Sequence, residues 1–336
     1  MKIPNLVEDS FKGHLFFMKI IGIYPSENFF KYYTFFAYLL YFLFTIPSPL
    51  LSIIKLIVLK VKDIGNMCDS LSLIIEIGVL VLKVLPFKNK PDVIKRSIFH
   101  LNKKIFSQAE PEQLYILLET VATCRKIFAI FLTSCLTSLF TWALKVLLYE
   151  ERAFPIDVWL PFDPFKNVYI YLTVFFYIFL GVGNAALCTA SIDTLMAGLI
   201  NHGAGQIKLL KDTLKHLGRR TDEKIRKYEN LSEFQMKLLK EKLIYRKICS
   251  CVAHYEAIHQ FVRDFERTYS SIIFAQFTAS VLVLCISCLQ ILLVEPLSAT
   301  FFAMVIYVFT ILAEIFLYCY YGTILYEEVS IVQSMQ

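Results

Sequence analysis

Six long apolar runs constrain the fold of this 336-residue chain more than any other feature of its sequence. They lie at about residues 33–58, 66–87, 126–149, 168–192, 270–294 and 298–322. A helix needs about 20 mostly apolar residues to cross the hydrocarbon layer of a bilayer, where its backbone must satisfy its own polar groups. Only 18% of the residues are charged and 57% are hydrophobic, which is unlike a soluble domain. The sequence therefore predicts an all-α polytopic membrane protein, with six transmembrane helices in a single domain spanning residues 1–336.

Two of these runs carry residues that disturb a simple apolar helix. The first run contains Pro47 and Pro49, and because proline lacks a backbone donor we expect a kink there. The second run contains Glu76 and Lys83, which makes it the weakest transmembrane candidate of the six.

Two further acidic residues lie in or beside the apolar runs. Asp193 directly follows the fourth run, so we expect its carboxylate at the cytosolic surface of the bilayer. Glu314 lies deeper, in the inner half of the sixth run. A carboxylate at mid-bilayer costs about 2.5–3.5 kcal/mol on insertion scales and usually faces the interior of a helix bundle. Glu314 is therefore expected either to pack against a polar partner or to contribute to an ion path.

The distribution of Lys and Arg predicts which side of the membrane each loop faces. The segment before the first run and the loops 88–125 and 201–268 carry four, seven and fifteen basic residues, whereas the alternate loops carry two, two and none. By the positive-inside rule, the amino terminus and the long loop face the cytosol. No cleavable signal peptide is expected, and Asn230, in the only N-x-[ST] sequon, should stay unglycosylated. The basic charge lies in membrane-flanking loops, so no nucleic-acid partner is expected.

The loop 201–268 has the pattern of a long helix rather than of a flexible linker. Its apolar residues recur at spacings of three, four or seven, which places them in one stripe on a helix surface. The stripe consists of Leu231, Phe234, Leu238, Tyr245, Ile248, Val252, Tyr255, Val262 and Phe265. No proline or glycine interrupts the segment before the fifth run, so we expect a cytosolic rod of roughly 54 Å. The stripe must pack on other helices of this chain or on other subunits.

Motifs for catalysis, nucleotides and metals receive no support from their context. The sequence GVGNAA at 181–186 lies inside an apolar run with no preceding strand, which favours close helix packing over a dinucleotide site. Cys249 and Cys251 point in nearly opposite directions on a helix, so they cannot form a tetrahedral site with His254 and His259. We therefore expect neither an enzyme nor a cofactor or metal site.

Short pieces spread along the chain resemble the insect odorant receptor family. The clearest is WLPFDP at 159–164, before the fourth run. The others, in chain order, are IGIYP at 21–25, CVxHxxxIxxFxxxxE at 251–266, QFxxSxxxxC at 276–285 and FLYCYYG at 316–322. Their order and the expected topology resemble the family over essentially the whole chain.

This resemblance implies a seven-helix receptor of the plasma membrane with a cytosolic amino terminus. Family members are hetero-oligomeric, ligand-gated cation channels that contain a shared co-receptor subunit. The resemblance places the odorant in the outer half of the helix bundle, the pore at the seventh helix and the subunit contacts at the cytosolic ends of the last four helices. For this chain it points to His254, Ile258, Phe261 and Phe265 as interface residues.

The sequence after Gly322 departs from the family pattern. Only fourteen residues follow, and they are too few and too polar to span a bilayer. The family has a seventh helix at this point. We therefore expect a truncated receptor product that lacks the pore helix, rather than a functional six-span isoform.

A site for a small apolar odorant should be a mainly apolar and aromatic cavity with one or two orienting polar groups. With the amino terminus inside, the outer halves are the early parts of runs two, four and six and the late part of run three. Residues four apart share a helix face there. The candidate ligand residues are Ser72, Ile75, Ser138, Trp142, Tyr169, Thr173, Phe176, Tyr177 and Tyr307.

Two alternative functions remain open from the sequence. A gustatory receptor of the same superfamily shares the topology, although WLPFDP and the CVxH piece favour the odorant branch. A membrane transporter would need inverted hydropathy repeats with paired broken helices, and the sequence shows neither. A G-protein-coupled receptor is excluded by the predicted orientation.

Overall fold

In the computed structural model, every regular element of the described residues is helical. The structure describes residues 6–24, 30–58, 64–89, 93–107, 109–147, 154, 158–226 and 232–334. The helices are α1 Leu6–Ile20, α2 Phe30–Leu40, α3 Pro47–Val58, α4 Ile64–Asn89, α5 Val93–Leu101, α6 Leu114–Leu147, α7 Val168–Lys215, α8 Leu217–Ile225, α9 Glu233–Leu293 and α10 Ala299–Ser334. The all-α fold class is therefore confirmed. Asn230 and Leu231, named above, lie outside the described residues, as does Pro25.

The first apolar run is divided between α2 and α3 by a π-helical turn, Tyr41–Thr45. Within it the backbone N–H of Ile46 donates to the carbonyl of Tyr41 at 2.9 Å. Pro47 then opens α3, at the position where a missing backbone donor is best tolerated. A π-helical turn next to a proline is a recognised cause of a kink.

The remaining apolar runs form one bundle around α7. Among the residues that the structure describes, five stretches are long and apolar enough to cross a membrane, namely Phe35–Val58, Pro111–Leu144, Val168–Lys215, Glu233–Leu293 and Ala299–Ser330. The second run forms α4, which is not among these five and packs between α3, α7 and α9. Residues 190–200 of α7 are all buried, because α1, α4, α6, α9 and α10 surround this helix.

Gly181 shows how closely the helices approach one another. A methyl group at Gly181 would collide with the backbone carbonyl oxygen of Phe44. Small residues permit this contact between backbones. The GVGNAA piece is therefore part of a helix contact in α7, as its position inside an apolar run indicates.

The region outside the apolar runs is a second helical layer, made of α1, α5, α8 and the ends of α7 and α9. Ser232 caps α9 in a capping box with Gln235, and the helix then continues for 61 residues, or about 90 Å. Ion pairs hold α8 in place, including Lys240–Asp222 at 2.6 Å and Lys224–Glu110 at 2.9 Å. The Lys224 ammonium lowers the pKa of Glu110 by hydrogen bonding to it.

Helix α1 packs against α6 and α7. Phe11 and His14 are fully buried there, and the His14 ring lies 4.2 Å from the Phe128 ring. Burial lowers the pKa of His14 to about 3, so the imidazole is neutral in the folded protein.

The apolar stripe expected on the helix before the fifth run divides into two parts. Tyr255, Val262 and Phe265 pack against the hydrophobic core of the chain. The part nearer the start of α9 faces outward, with Phe234 76% and Tyr245 70% exposed. Leu238, Ile248 and Val252 are exposed as well. Helices of this chain therefore cover only one half of the stripe.

Candidate functional site

A cavity of about 170 Å³ lies inside the bundle, between α4, α6, α7, α9 and α10. Its wall is mainly apolar, with Ile77, Phe131, Leu139, Trp142 and Ile311 among the lining side chains. The volume is below the range of about 300–1,000 Å³ that is common for drug-sized ligands. The cavity can therefore hold a small, largely apolar molecule.

One wall of the cavity is polar. Ser72 and Glu76 lie one turn apart on α4, and residues four apart share a helix face. The hydroxyl of Tyr307, on α10, donates to Oε1 of Glu76 at 2.6 Å. Ser72 is 6% exposed, and its Oγ has no hydrogen-bond partner among the described residues. These groups can orient a ligand in an otherwise apolar space.

Lys83 forms the centre of a buried ionic cluster that includes Glu314 of the cavity wall. Its Nζ donates to both carboxylate oxygens of Asp193, at 2.7 and 2.8 Å, and to Oε1 of Glu314 at 3.3 Å. The Tyr318 hydroxyl donates to Oδ1 of Asp193 at 2.7 Å, and the Ser280 hydroxyl donates to Glu314 at 3.4 Å. Charges taken out of water need such pairing, because their desolvation is expensive.

Asp193, expected at the cytosolic surface of the bilayer, is paired with Lys83 inside the helix bundle. Its side chain is fully buried, because α7 continues to Lys215 without interruption and presents Asp193 to Lys83 of α4. For Glu314 the contact with Lys83 fits the first of the two interpretations, packing against a polar partner.

Four of the nine candidate ligand residues line the cavity. Ser72, Ser138, Trp142 and Tyr307 contribute to its wall from α4, α6 and α10. Their placement follows from helix periodicity: Ser138 and Trp142 lie one turn apart on α6, as Ser72 and Glu76 do on α4.

The other five candidates do not line this cavity. Tyr169 is 80% exposed, and Thr173 and Phe176 face outward with it, because α7 turns this surface away from its helix neighbours. Tyr177 donates a hydrogen bond to the carbonyl oxygen of Leu43 instead. Ile75 is partly buried on α4 outside the cavity wall. These five residues therefore lie outside this cavity, since sequence position along a span does not specify the inward face.

Several cavity residues were missed from the sequence. Glu76 and Glu314 both line the cavity, as do Phe131, Cys135 and Gln276. One signal was available: Ser72, Glu76 and Lys83 occupy one face of α4, at spacings of four and seven. A polar face on a helix inside an apolar bundle indicates a buried polar site.

The four proposed interface residues pack against other helices of this chain, and their role at a subunit interface stays a prediction. Ile258 and Phe261 are buried in the main hydrophobic core, and Phe265 packs against it. Nε2 of His254 lies 3.0 Å from Oε1 of Gln206 on α7. These side chains lie on the face of α9 that points to α7.

The metal interpretation gains no support from the structure. No group of three or more potential ligands was found among the described residues. Cys249 is exposed and Cys251 is buried, in agreement with their opposite directions on the helix.

The fold and the cavity define a class: a polytopic helical membrane protein with a mainly apolar cavity among its spans. Residues 63–334 match the sequence model of the family described as 7tm Odorant receptor, and the chain belongs to this family. It is 23% identical to Odorant receptor Or1 of Anopheles gambiae over 328 residues, which are 94% of this chain and 78% of that receptor.

Solved structures of a receptor from another insect share the fold. The insect olfactory receptor OR5 from Machilis hrabei superposes with a TM-score of 0.74 at 15% identity, over 94% of this chain and 79% of that one. The same receptor in complex with eugenol gives a TM-score of 0.74 at 16% identity, over 95% and 80% of the two chains. At such low identity the comparison shows a common fold.

Proposed function

We propose that this chain is an odorant receptor subunit whose cavity binds small volatile ligands. The mainly apolar cavity of about 170 Å³ inside the bundle is the observation that carries this proposal. Membership of the odorant receptor family supports it, as does the eugenol complex of a receptor with the same fold. A receptor of this kind binds its ligand without transforming it, so the chain is not an enzyme.

The ligand contacts in this proposal come from four of the sequence candidates. Trp142 supplies the largest apolar surface among them, and Ser72, Ser138 and Tyr307 supply hydroxyl groups. Burying an apolar ligand stabilises the complex by about 25 cal/mol per Å² of surface removed from water. The hydroxyl groups then select an orientation, since a ligand that leaves them unpaired binds less well.

We further propose that the chain acts with a co-receptor subunit as a ligand-gated cation channel of the plasma membrane. The exposed half of the α9 stripe is the evidence for a partner subunit. Its residues repeat at spacings of four, seven and three on one helix, namely Phe234, Leu238, Tyr245 and Ile248. Contiguous exposed apolar surface of this kind marks protein interaction sites. The basic loops support an orientation with this end and the amino terminus in the cytosol.

The cavity is tested by Trp142→Ala, measured as odorant-evoked current in cells that also express a co-receptor. We expect the half-maximal ligand concentration to rise about 10-fold or more, because removing a buried aromatic side chain that contacts a ligand costs about 2 kcal/mol or more. Surface expression should fall much less. Phe140→Ala is the matched control, since Phe140 lies two residues away on α6 and is 62% exposed.

Comparing the change in ligand response with the change in surface expression distinguishes a ligand contact of Trp142 from a purely structural role. Equal loss of both by Trp142→Ala would place Trp142 in the structural core only. An unchanged half-maximal concentration would remove the cavity from ligand binding.

A further inference from the structure

The acidic groups of the cavity outnumber the cations available to them. Glu76 and Glu314 line the cavity, and none of its described lining residues is Lys or Arg. Lys83 lies next to the cavity, but both oxygens of Asp193 already accept from its ammonium. Its remaining contact is with Glu314, at 3.3 Å. Among the described residues, one cation therefore serves a cluster that contains three carboxyl groups.

Of these three carboxyl groups, Glu76 has the fewest partners that could offset a negative charge. Tyr307 donates one neutral hydrogen bond to its Oε1. Among the described residues, neither a hydrogen bond nor an ion pair joins Glu76 to a basic side chain. A carboxylate in a low-dielectric interior is costly unless it is paired with a cation and fully hydrogen-bonded.

Ser72 supplies an independent indication that a polar ligand group belongs beside Glu76. Its side chain is more than nine-tenths buried, lines the cavity, and has no partner for Oγ in the part of the chain described. Buried hydroxyl groups are nearly always hydrogen-bonded. Ser72 lies four residues before Glu76, so both groups project from one face of α4 into the same space.

We propose that the preferred ligand of this cavity is a small amine with a compact apolar body, bound in its protonated form. The inference rests on the proposed ligand-binding role of the cavity and specifies the class of ligand. The ammonium group donates to Glu76 and to the Oγ of Ser72, and supplies the positive charge that the cavity lining lacks. The apolar body packs against Leu139, Trp142 and Ile311.

A neutral alcohol of the same shape meets only part of this requirement. Its hydroxyl can donate one hydrogen bond to Glu76, but it brings no charge. The ammonium adds to its hydrogen bond the Coulombic attraction between opposite charges, which is stronger in a low-dielectric interior than in water. The cavity should therefore distinguish an amine from its alcohol counterpart, although their apolar surfaces are the same.

The test measures binding to the purified full chain in lipid nanodiscs, without a co-receptor. The chain has two tryptophans, so Trp159→Phe leaves Trp142, in the cavity wall, as the only tryptophan emitter. Its fluorescence is titrated with 2-phenylethylamine and with 2-phenylethanol at about pH 7, where an alkylamine is protonated. We expect the amine to bind about 10-fold or more tightly than the alcohol.

Glu76→Gln keeps the shape of the side chain and removes its charge. We expect it to weaken amine binding about 10- to 100-fold, the range for losing a charge-assisted hydrogen bond. Alcohol binding should change less than about 3-fold, since the amide still accepts a hydrogen bond. The control is Glu119→Gln, the same substitution at an exposed position of α6 outside the cavity wall, which should retain amine binding.

The outcomes separate this inference from the proposed function. If the alcohol binds as tightly as the amine, or Glu76→Gln weakens both ligands equally, the amine inference is overturned and the cavity remains a ligand site. If neither ligand alters Trp142 fluorescence, the cavity fails as a binding site for such molecules. Should Glu76→Gln fail to fold, the ratio of amine to alcohol affinity in the Trp159→Phe protein still tests the inference. A ratio near one overturns it.

Discussion

Lys83→Met is the substitution that tests the buried ionic cluster most directly. Lys83 is 1% exposed and pairs with Asp193 at 2.7 Å and with Glu314 at 3.3 Å. Methionine has a similar length and apolar body, so the change removes the charge and leaves no large cavity. The carboxylate of Asp193 would then be buried with only the Tyr318 hydroxyl as a donor among its described partners.

The expected loss follows from this uncompensated charge. Breaking a buried ion pair by removing one partner costs about 3–5 kcal/mol, whereas replacing both partners by neutral groups is often far less harmful. Lys83→Met should therefore lower the apparent melting temperature of the purified protein by on the order of 10 °C. Adding Asp193→Asn to Lys83→Met should recover at least half of this loss.

The assay is the temperature at which the monodisperse peak is lost in detergent size-exclusion chromatography. Lys126→Met, at an exposed position of α6, is the matched control and should change the melting temperature by less than about 2 °C, as surface substitutions usually do. A melting temperature of Lys83→Met equal to that of the unmodified protein would refute the charge argument. So would a double variant that is less stable than Lys83→Met alone.

Three further predictions concern packing, pH and orientation. Gly181→Ala should destabilise the protein by about 1–3 kcal/mol, because the added methyl group meets the carbonyl oxygen of Phe44. Gly183→Ala is the control, since its methyl group would lie 3.4 Å from the nearest side-chain carbon. It should have little effect in the same thermal assay. The buried neutral His14, with its pKa lowered to about 3, is protonated more readily in the unfolded chain. The free energy of unfolding should therefore fall as the pH drops below about 6.5, by on the order of 3 kcal/mol at about pH 4. His14→Phe should not show this pH-dependent loss of stability. His259→Phe, at an exposed position, should still show it. An epitope tag at the amino terminus should bind antibody only after cells are permeabilised, and labelling of intact cells would reverse the proposed orientation.

Much of the fold was predictable from the sequence because it depends on local properties. Apolar runs of about 20 residues predict membrane helices, and the described helices cover all six runs apart from residues at their ends. The capping residue Ser232 and the unbroken segment after it likewise indicate the start of the long helix α9. The helix ends were harder to predict, since α7 continues to Lys215 and α10 to Ser334 through positions of mixed polarity.

The site was predictable only in part. Ser138 and Trp142, two of the ligand candidates, line the cavity, whereas Tyr169 and Phe176 were chosen by the same reasoning and face outward. Periodicity states which residues share a helix face, and it does not state which face meets a neighbouring helix. For the same reason Ile258 and Phe261, expected at a subunit interface, are part of the core of this chain.

The sequence by itself determined that this protein is a bundle of membrane helices, because hydrophobic length and helix periodicity are encoded within each segment. Only the tertiary structure decided how Lys83, Asp193 and Glu314 combine. Lys83 lies 110 positions from Asp193 and 231 from Glu314, so no local pattern links them. Their pairing arises because α4, α7 and α10 pack together around one point and a buried charge there requires an opposite charge within contact distance.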